Sequence, residues 1–265
     1  MDGPTIWANT GTLGDSINGM DNDTFDSAMA RLFRASRYAE RVIFAAPGLR
    51  EWLRARVEQS AVSTVAALAT TPMAEHDSLD ATLRQRRKQA MLAIMFRDIN
   101  GLANLDEVVT AISSFADDIV SASLKYHQAA LLAEFGCIAS ADSDLLIVGM
   151  GKLGAHELNV SSDIDLIFVH REDGAANADR SWHEFHNQLG RRVIRAIDNL
   201  DENGYVFRVD MRLRPFGDSG PLVSSLASLE SYFLGQARPW ERYAWLKARA
   251  LTGNSANVEA LEALI

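Results

Sequence analysis

A single cysteine, Cys137, stands in 265 residues, so no intrachain disulfide can form and no thiolate cage for a metal exists. That usage suits a reducing cytoplasm. No apolar run approaches the length of a membrane span. The opening residues, Met1-Asp2-Gly3-Pro4-Thr5, lack the basic and apolar stretches of a secretion signal. A cytoplasmic protein without membrane association is expected. Basic residues are also scarce: 26 Lys and Arg against 35 Asp and Glu leave a net charge of −9. Such a surface repels duplex nucleic acid at long range unless a local basic patch compensates, so no nucleic-acid partner is expected. The densest basic run, Arg84, Arg86, Arg87 and Lys88, opens an apparent helix and reads as a solvated charged face. Internal repeats and low-complexity tracts are lacking too.

What is present is ordinary globular material, 48% hydrophobic and 23% charged, long enough for two small domains. Residues 1–23 are rich in Gly, Asn and Asp and read as a poorly ordered lead-in. Residues 24–140 carry helical periodicity. The clearest segments are 80–99, with Leu83, Met91, Ile94 and Met95 on a core face, and 105–135, with Val108, Ile112, Phe115, Ile119 and Leu124. Residues 60–77 suggest one short helix. From 141 to 224 the pattern changes to two apolar strand runs, 145–148 and 164–169, and an amphipathic helix begins at Ser181. A segment alternating from Tyr205 to Leu213 reads as a third strand, and a glycine-rich loop follows at 216–221. Helical pattern returns over 225–265, with Pro239 and Gly253 bracketing one last helix. The fold class expected is α+β: a small mixed sheet, a predominantly helical N-terminal region and a helical C-terminal flank.

One segment carries chemistry. Residues 149–165 hold the glycine turn Gly149-Met150-Gly151-Lys152-Leu153-Gly154 and then Ser162-Asp163-Ile164-Asp165. Glycines let backbone N–H groups approach a phosphate. In a strand, Asp163 and Asp165 project to one side with Cα atoms roughly 6.5 Å apart. On a helix they would point about 200° apart and share nothing. Carboxylates converging from a strand end suit Mg²⁺ bridging to phosphates, and pairs of such ions serve phosphoryl or nucleotidyl transfer. Asp210, on the polar face of the third strand, is the candidate third ligand. Its neighbours Arg208 and Arg212 also allow a plain ion pair. Arg212 and Arg214 are candidate clamps for phosphate oxygens.

Other readings compete. Gly149-x-Gly151-x-x-Gly154 after a strand matches a dinucleotide fingerprint, but Lys152 to Asn159 is too short for the crossover helix and Asp163 and Asp165 stay unexplained. A P-loop is excluded, since no Gly-Lys-Ser/Thr follows. Asp163 as a mere strand boundary accounts for neither the glycine turn nor Asp210. The histidines form no metal set: His183 and His186 read as surface residues, and His156 as a weak ligand candidate. Trp240, Tyr243 and Leu246 read as core packing, whereas Lys247 and Arg249 suit either a solvated face or an anion contact.

Three blocks resemble one family. They are Val148 through Gly154 with Glu157 through Phe168, Arg208 through Val223, and Trp240 through Arg249. Together they closely resemble the signature of the bacterial glutamine synthetase adenylyltransferase/adenylyl-removing enzymes, over roughly residues 25–253. The resemblance implies a polymerase-β-like nucleotidyltransferase fold with helical flanks, two such domains in tandem in full-length members, and glutamine synthetase as protein substrate. It implies Mg²⁺, two ions in number, at Asp163, Asp165 and Asp210, and ATP, ADP and phosphate as small substrates. Gly149, Gly151 and Lys152 would cradle phosphate, with Ser162, Arg212 and Arg214 completing the nucleotide site. A PII-type signal protein is implied as a regulatory partner. Pro215-Phe216 and Glu241-Arg242-Tyr243 are like the N-terminal copy, which removes AMP from a tyrosine by phosphorolysis and releases ADP. Transfer of AMP from ATP is the alternative, and a docking module without catalysis is a further one. The sequence departs from the family at Ala155-His156, where a further glycine is usual, and it stops short of a second catalytic domain.

Overall fold

The computed structural model describes residues 20–73 and 78–264. Most of the lead-in expected over 1–23 lies outside them, and α1 begins within its last residues. Helices α1 (Asn22–Ala35), α2 (Arg37–Ala45), α3 (Gly48–Arg54), α4 (Ala61–Thr70), α5 (Leu79–Ile99) and α6 (Leu105–Phe135) form the N-terminal region. Their starts are written in the sequence. Asp21, Ser36, Ser60, Ser78 and Asn104 each accept a backbone N–H of the first turn through the side chain. α6 stops at Gly136, whose φ of 66° is the left-handed turn that glycine adopts without penalty. α5 is buried almost all round, from Ala90 to Phe96, because α1, α3, α4 and α6 pack about it.

The sheet follows. Strand β1 (Leu145–Gly149) is buried along its length and runs antiparallel to β2 (Ile164–His170), with the short α7 (Gly151–Gly154) between them. α8 (Trp182–Asp198), capped by Ser181, returns across the sheet. A Cβ on Gly190 would meet the Phe168 ring at 2.8 Å, so this glycine lets α8 lie directly on β2. Two short strands run parallel to β2: β3 (Val209–Asp210) beside its start and β4 (Val223–Ser225) beside its end. After α9 (Leu226–Gly235) and α10 (Pro239–Ala244), strand β5 (Arg249–Ala250) pairs with β1, and α11 (Ser255–Glu262) follows. The path across the sheet is β3-β2-β1-β5. This is the expected α+β architecture. Among the described residues no helix is long and apolar enough to cross a membrane.

Four local expectations are corrected. The strand expected over 205–213 shrinks to Val209 and Asp210, because Val206 and Phe207 both turn inward. Their N–H groups donate to the Ile197 carbonyl at the end of α8, and Phe207 packs on Phe115. The single helix expected from Pro239 to Gly253 ends at Ala244, since the chain is drawn back to the sheet as β5. The basic run is not a solvated face throughout. Arg84 is 1% exposed, donating to the carbonyls of Ala196, Asn199 and Gly204 and pairing with Asp201. Arg87 donates to the Tyr205 carbonyl. Finally, Trp240, Tyr243 and Leu246 are exposed; α10 anchors through the following Trp245, which is 5% exposed.

Candidate active site

The glycine turn is shaped by what surrounds it. Gly149 ends β1, where a Cβ would press on Leu153 and Leu251 at 3.0 Å. Gly151 has a φ of 53°, and its missing Cβ would stand 3.1 Å from Asp165 Oδ2. The turn therefore lies against the carboxylate. Met150 N–H donates to the Asp165 carbonyl at 2.9 Å, tying turn to strand. Gly154 answers a different need: a Cβ there would fall 1.7 Å from the Lys247 carbonyl oxygen. His156 takes a left-handed φ of 58°, which glycine adopts more readily. Its side chain is exposed, as is that of Lys152.

The acids come next. Ser162 Oγ is engaged by Asn159, accepting its N–H and donating to its Oδ1, and this turn delivers Asp163 to the start of β2. Arg208 donates to the Ser161 carbonyl, and Ile164 N–H donates to the Arg208 carbonyl. These bonds fix the β2–β3 register, in which Asp165 stands opposite Asp210. Burial, then the charges of Asp210 and Asp163, push the Asp165 carboxyl up to about 6; Arg212 and Lys152 offset part of this. A raised acid beside two carboxylates and a cationic pair is a common mark of a functional site.

Asp210 behaves as its arginine neighbours foretold. It accepts from Arg212 Nε at 2.8 Å, Nη2 at 2.5 Å and the backbone N–H at 2.8 Å, and these hydrogen bonds hold it below the usual carboxylate range. Arg212 itself is largely exposed. Arg214 is turned inward, donating to the Met211 carbonyl at 2.8 Å and bracing the loop toward Asp218. Hard carboxylate oxygens on one strand pair, with mutual repulsion left over at Asp165, fit a divalent oxygen-loving cation. To join such a ligand set Asp210 must exchange its Arg212 contacts.

The two basic residues left open between a solvated face and an anion contact both make ion pairs within the chain. Arg249 grips Asp117 of α6 through both terminal nitrogens, at 2.9 and 3.0 Å, and donates to the carbonyls of Leu153 and Gly154. Lys247 pairs with Glu157 at 2.6 Å. Beside Arg212, a cleft of about 450 Å³ is lined by Phe216, Tyr232, Arg238, Trp240 and Glu241. Phe216, at a φ of 62°, packs on Tyr232, whose hydroxyl donates to Glu241 at 2.5 Å. Only the family resemblance had singled out Phe216 and Glu241. The histidine expectation is corrected: His186 is fully buried, stacked on buried His170 at 4.8 Å, because the α8 face that carries it packs on the sheet. His183 is exposed, as expected.

A family model described as glutamate-ammonia ligase adenylyltransferase matches residues 27–263. Relatives named bifunctional glutamine synthetase adenylyltransferase/adenylyl-removing enzyme are similar over most of the chain. That of Chromobacterium violaceum is 43% identical over 247 residues, covering 89% of this chain and 27% of the relative. That of Aromatoleum aromaticum is 41% identical over 244 residues, covering 88% and 26%, and that of Nitrosomonas europaea 40% over 258, covering 93% and 28%. The chain thus spans about a quarter of the length of these relatives. With the glycine turn, the paired aspartates and the mixed sheet in place, the chain belongs to the glutamate-ammonia ligase adenylyltransferase family.

Proposed function

We propose that the chain is the adenylyl-removing catalytic unit of its family, acting on adenylylated glutamine synthetase. The observation that carries the reading is the register of Asp165 with Asp210, two positions after Asp163, which immediately precedes β2, and against the Gly151 turn. In the reaction, an oxygen of inorganic phosphate attacks the α-phosphorus of the AMP–tyrosine ester. The bond from phosphorus to the tyrosine oxygen breaks, ADP forms, and the tyrosinate takes a proton from solvent. Asp163, Asp165 and Asp210 would hold Mg²⁺, which supplies charge neutralisation to the attacking and leaving oxygens. Gly151, without a Cβ, would let its backbone approach a phosphate. Lys152 and Arg212 bring positive charge to the same mouth, where a polyanionic substrate must be held in line.

The direction of AMP movement rests on Pro215-Phe216 and Glu241-Arg242-Tyr243, the residues that resemble the removing copy. Phe216 and Glu241 meet through Tyr232 in the cleft beside Arg212, which supports a role for these two residues in the direction of the reaction. The test is phosphate- and Mg²⁺-dependent ADP release from adenylylated glutamine synthetase by this chain. Labelled AMP passing instead from ATP to unmodified glutamine synthetase would reverse the assignment. Binding of glutamine synthetase with neither turnover would make the chain a docking module. A PII-type signal protein as regulator belongs to the same reading and is tested by adding it to the assay.

A further inference from the structure

The far end of β2 carries a second cluster unrelated to the acidic site. His170 is the last residue of β2, Asp173 follows in the next loop, and His183 lies in the first turn of α8. Between Asp165 and His170 the strand advances by roughly 16 Å, so the two clusters occupy opposite ends. Among the described residues, His170, Asp173 and His183 form a group whose ligand atoms all lie within 4.8 Å of one another.

The proton positions in this group are informative. His170 Nδ1 lies 3.1 Å from the Glu172 carbonyl oxygen, which only accepts, so Nδ1 carries a proton. In the neutral ring Nε2 then presents a lone pair. That atom is buried without a hydrogen-bond partner and faces Asp173 Oδ1 at 3.5 Å. A lone pair aimed at a carboxylate is unfavourable unless a cation stands between them. Stacking on His186 at 4.8 Å and 15° fixes the ring plane. A histidine whose other N–H donates to a backbone carbonyl is the ordinary arrangement of a metal ligand.

We propose that His170 Nε2, an Asp173 carboxylate oxygen and His183 Nδ1 form a binding site for a first-row transition-metal ion of the Zn²⁺ type, clipping the end of β2 and its following loop to the start of α8. Two imidazoles and one carboxylate are a set that Zn²⁺ accepts, with the fourth position open to water. His183 Nδ1 stands 3.9 Å from Asp173 Oδ1. Contraction to the roughly 3.3 Å edge of a tetrahedral zinc shell is left to the two exposed side chains, while His170 stays in place. His183 Nε2 contacts Asn187 Nδ2 at 3.0 Å, so binding through Nδ1 requires Asn187 to present its amide oxygen instead.

The experiment is calorimetric titration of Zn²⁺ into the chelator-stripped chain, with excess Mg²⁺ present to occupy the acidic site. Co²⁺ absorption in the visible then reads the geometry. Wild type is expected to take up one equivalent with a tetrahedral Co²⁺ spectrum. Asp173→Ala and His183→Ala, both at exposed positions, should each weaken Zn²⁺ at least about tenfold, and Asp179→Ala on the same loop should not. Failure of wild type to bind, or equal affinity in wild type and both ligand variants, overturns the site.

Discussion

Asp165 and Asp210 face each other across the parallel β2–β3 pairing, yet their carboxyls are held in opposite directions. Burial and its acidic neighbours raise Asp165 to about 6, whereas Arg212 holds Asp210 low. An acid raised in the fold disfavours its own ionisation there, so the conformational cost is absent below the free value of 3.8 and grows as pH climbs through 6. Asp165→Asn is therefore expected to raise the melting temperature in chelator-containing buffer at pH 8, with the gain shrinking toward pH 4. The same variant should lose at least about 10²-fold in ADP release. Thermal melts at both pH values and the phosphorolysis assay check the two halves; a variant less stable than wild type at pH 8 contradicts the electrostatic account.

Gly154→Ala places a methyl 1.7 Å from the Lys247 carbonyl oxygen, and backbone cannot yield as a side-chain tip does. A destabilisation of about 3 kcal/mol is expected, read as a lower urea midpoint. Gly154 has no left-handed φ, so Gly101→Ala, at a φ of 68° with nothing within 4 Å, isolates a backbone-conformation cost that Gly154→Ala does not carry.

Arg84→Met removes the cation that three carbonyls at and beyond the end of α8 and Asp201 surround. Four acceptors, of which Ala196 is buried and Asn199 and Asp201 reach solvent, lose their partner, for an expected cost of about 2–3 kcal/mol. Arg86→Met, on the same run but half-buried and, among the described residues, donating to the Thr71 carbonyl, should cost less than about 1 kcal/mol. Chemical denaturation of the pair measures the contrast.

Glu107 joins three elements: it accepts from Arg97 on α5 and from the Ala61 N–H that opens α4. Burial pushes its carboxyl up, but the Arg97 hydrogen bond, the Ala61 N–H and the Arg97 charge together prevail, and it lies below its ordinary 4.5. Its contribution is present above pH 4.5 and is lost as pH falls through the lower folded value. Glu107→Gln should cost about 1–2 kcal/mol at pH 7 and flatten the acid limb of the stability curve, measured by urea titrations from pH 3 to 7.

Much of this molecule could be read from spacing alone. α5 and α6 fall within a residue of the expected bounds because long periodic runs and polar caps are local signals. β2 was legible for a similar reason: the apolar run from Ile164 to Val169 marks a buried strand, and Asp165 lies within it. The misreadings have one physical origin. Arg84 and His186 are placed by partners far along the chain, and Trp240 is left exposed because Trp245 anchors α10; composition alone assigns the basic residue outward and the aromatic one inward. β4 and β5 are too short to carry a periodicity. They exist because β2 and β1 offer them open edges.

Arg249 reaches back to the Gly154 carbonyl across 95 residues of chain, and β5 closes the sheet beside β1. During synthesis the glycine turn, Asp163 and Asp165 thus leave the ribosome well before the segment that seats them. The turn has no floor until that segment arrives. A nascent chain carrying every acidic residue of the proposed centre is still without the finished shape of that centre until β5 is in place.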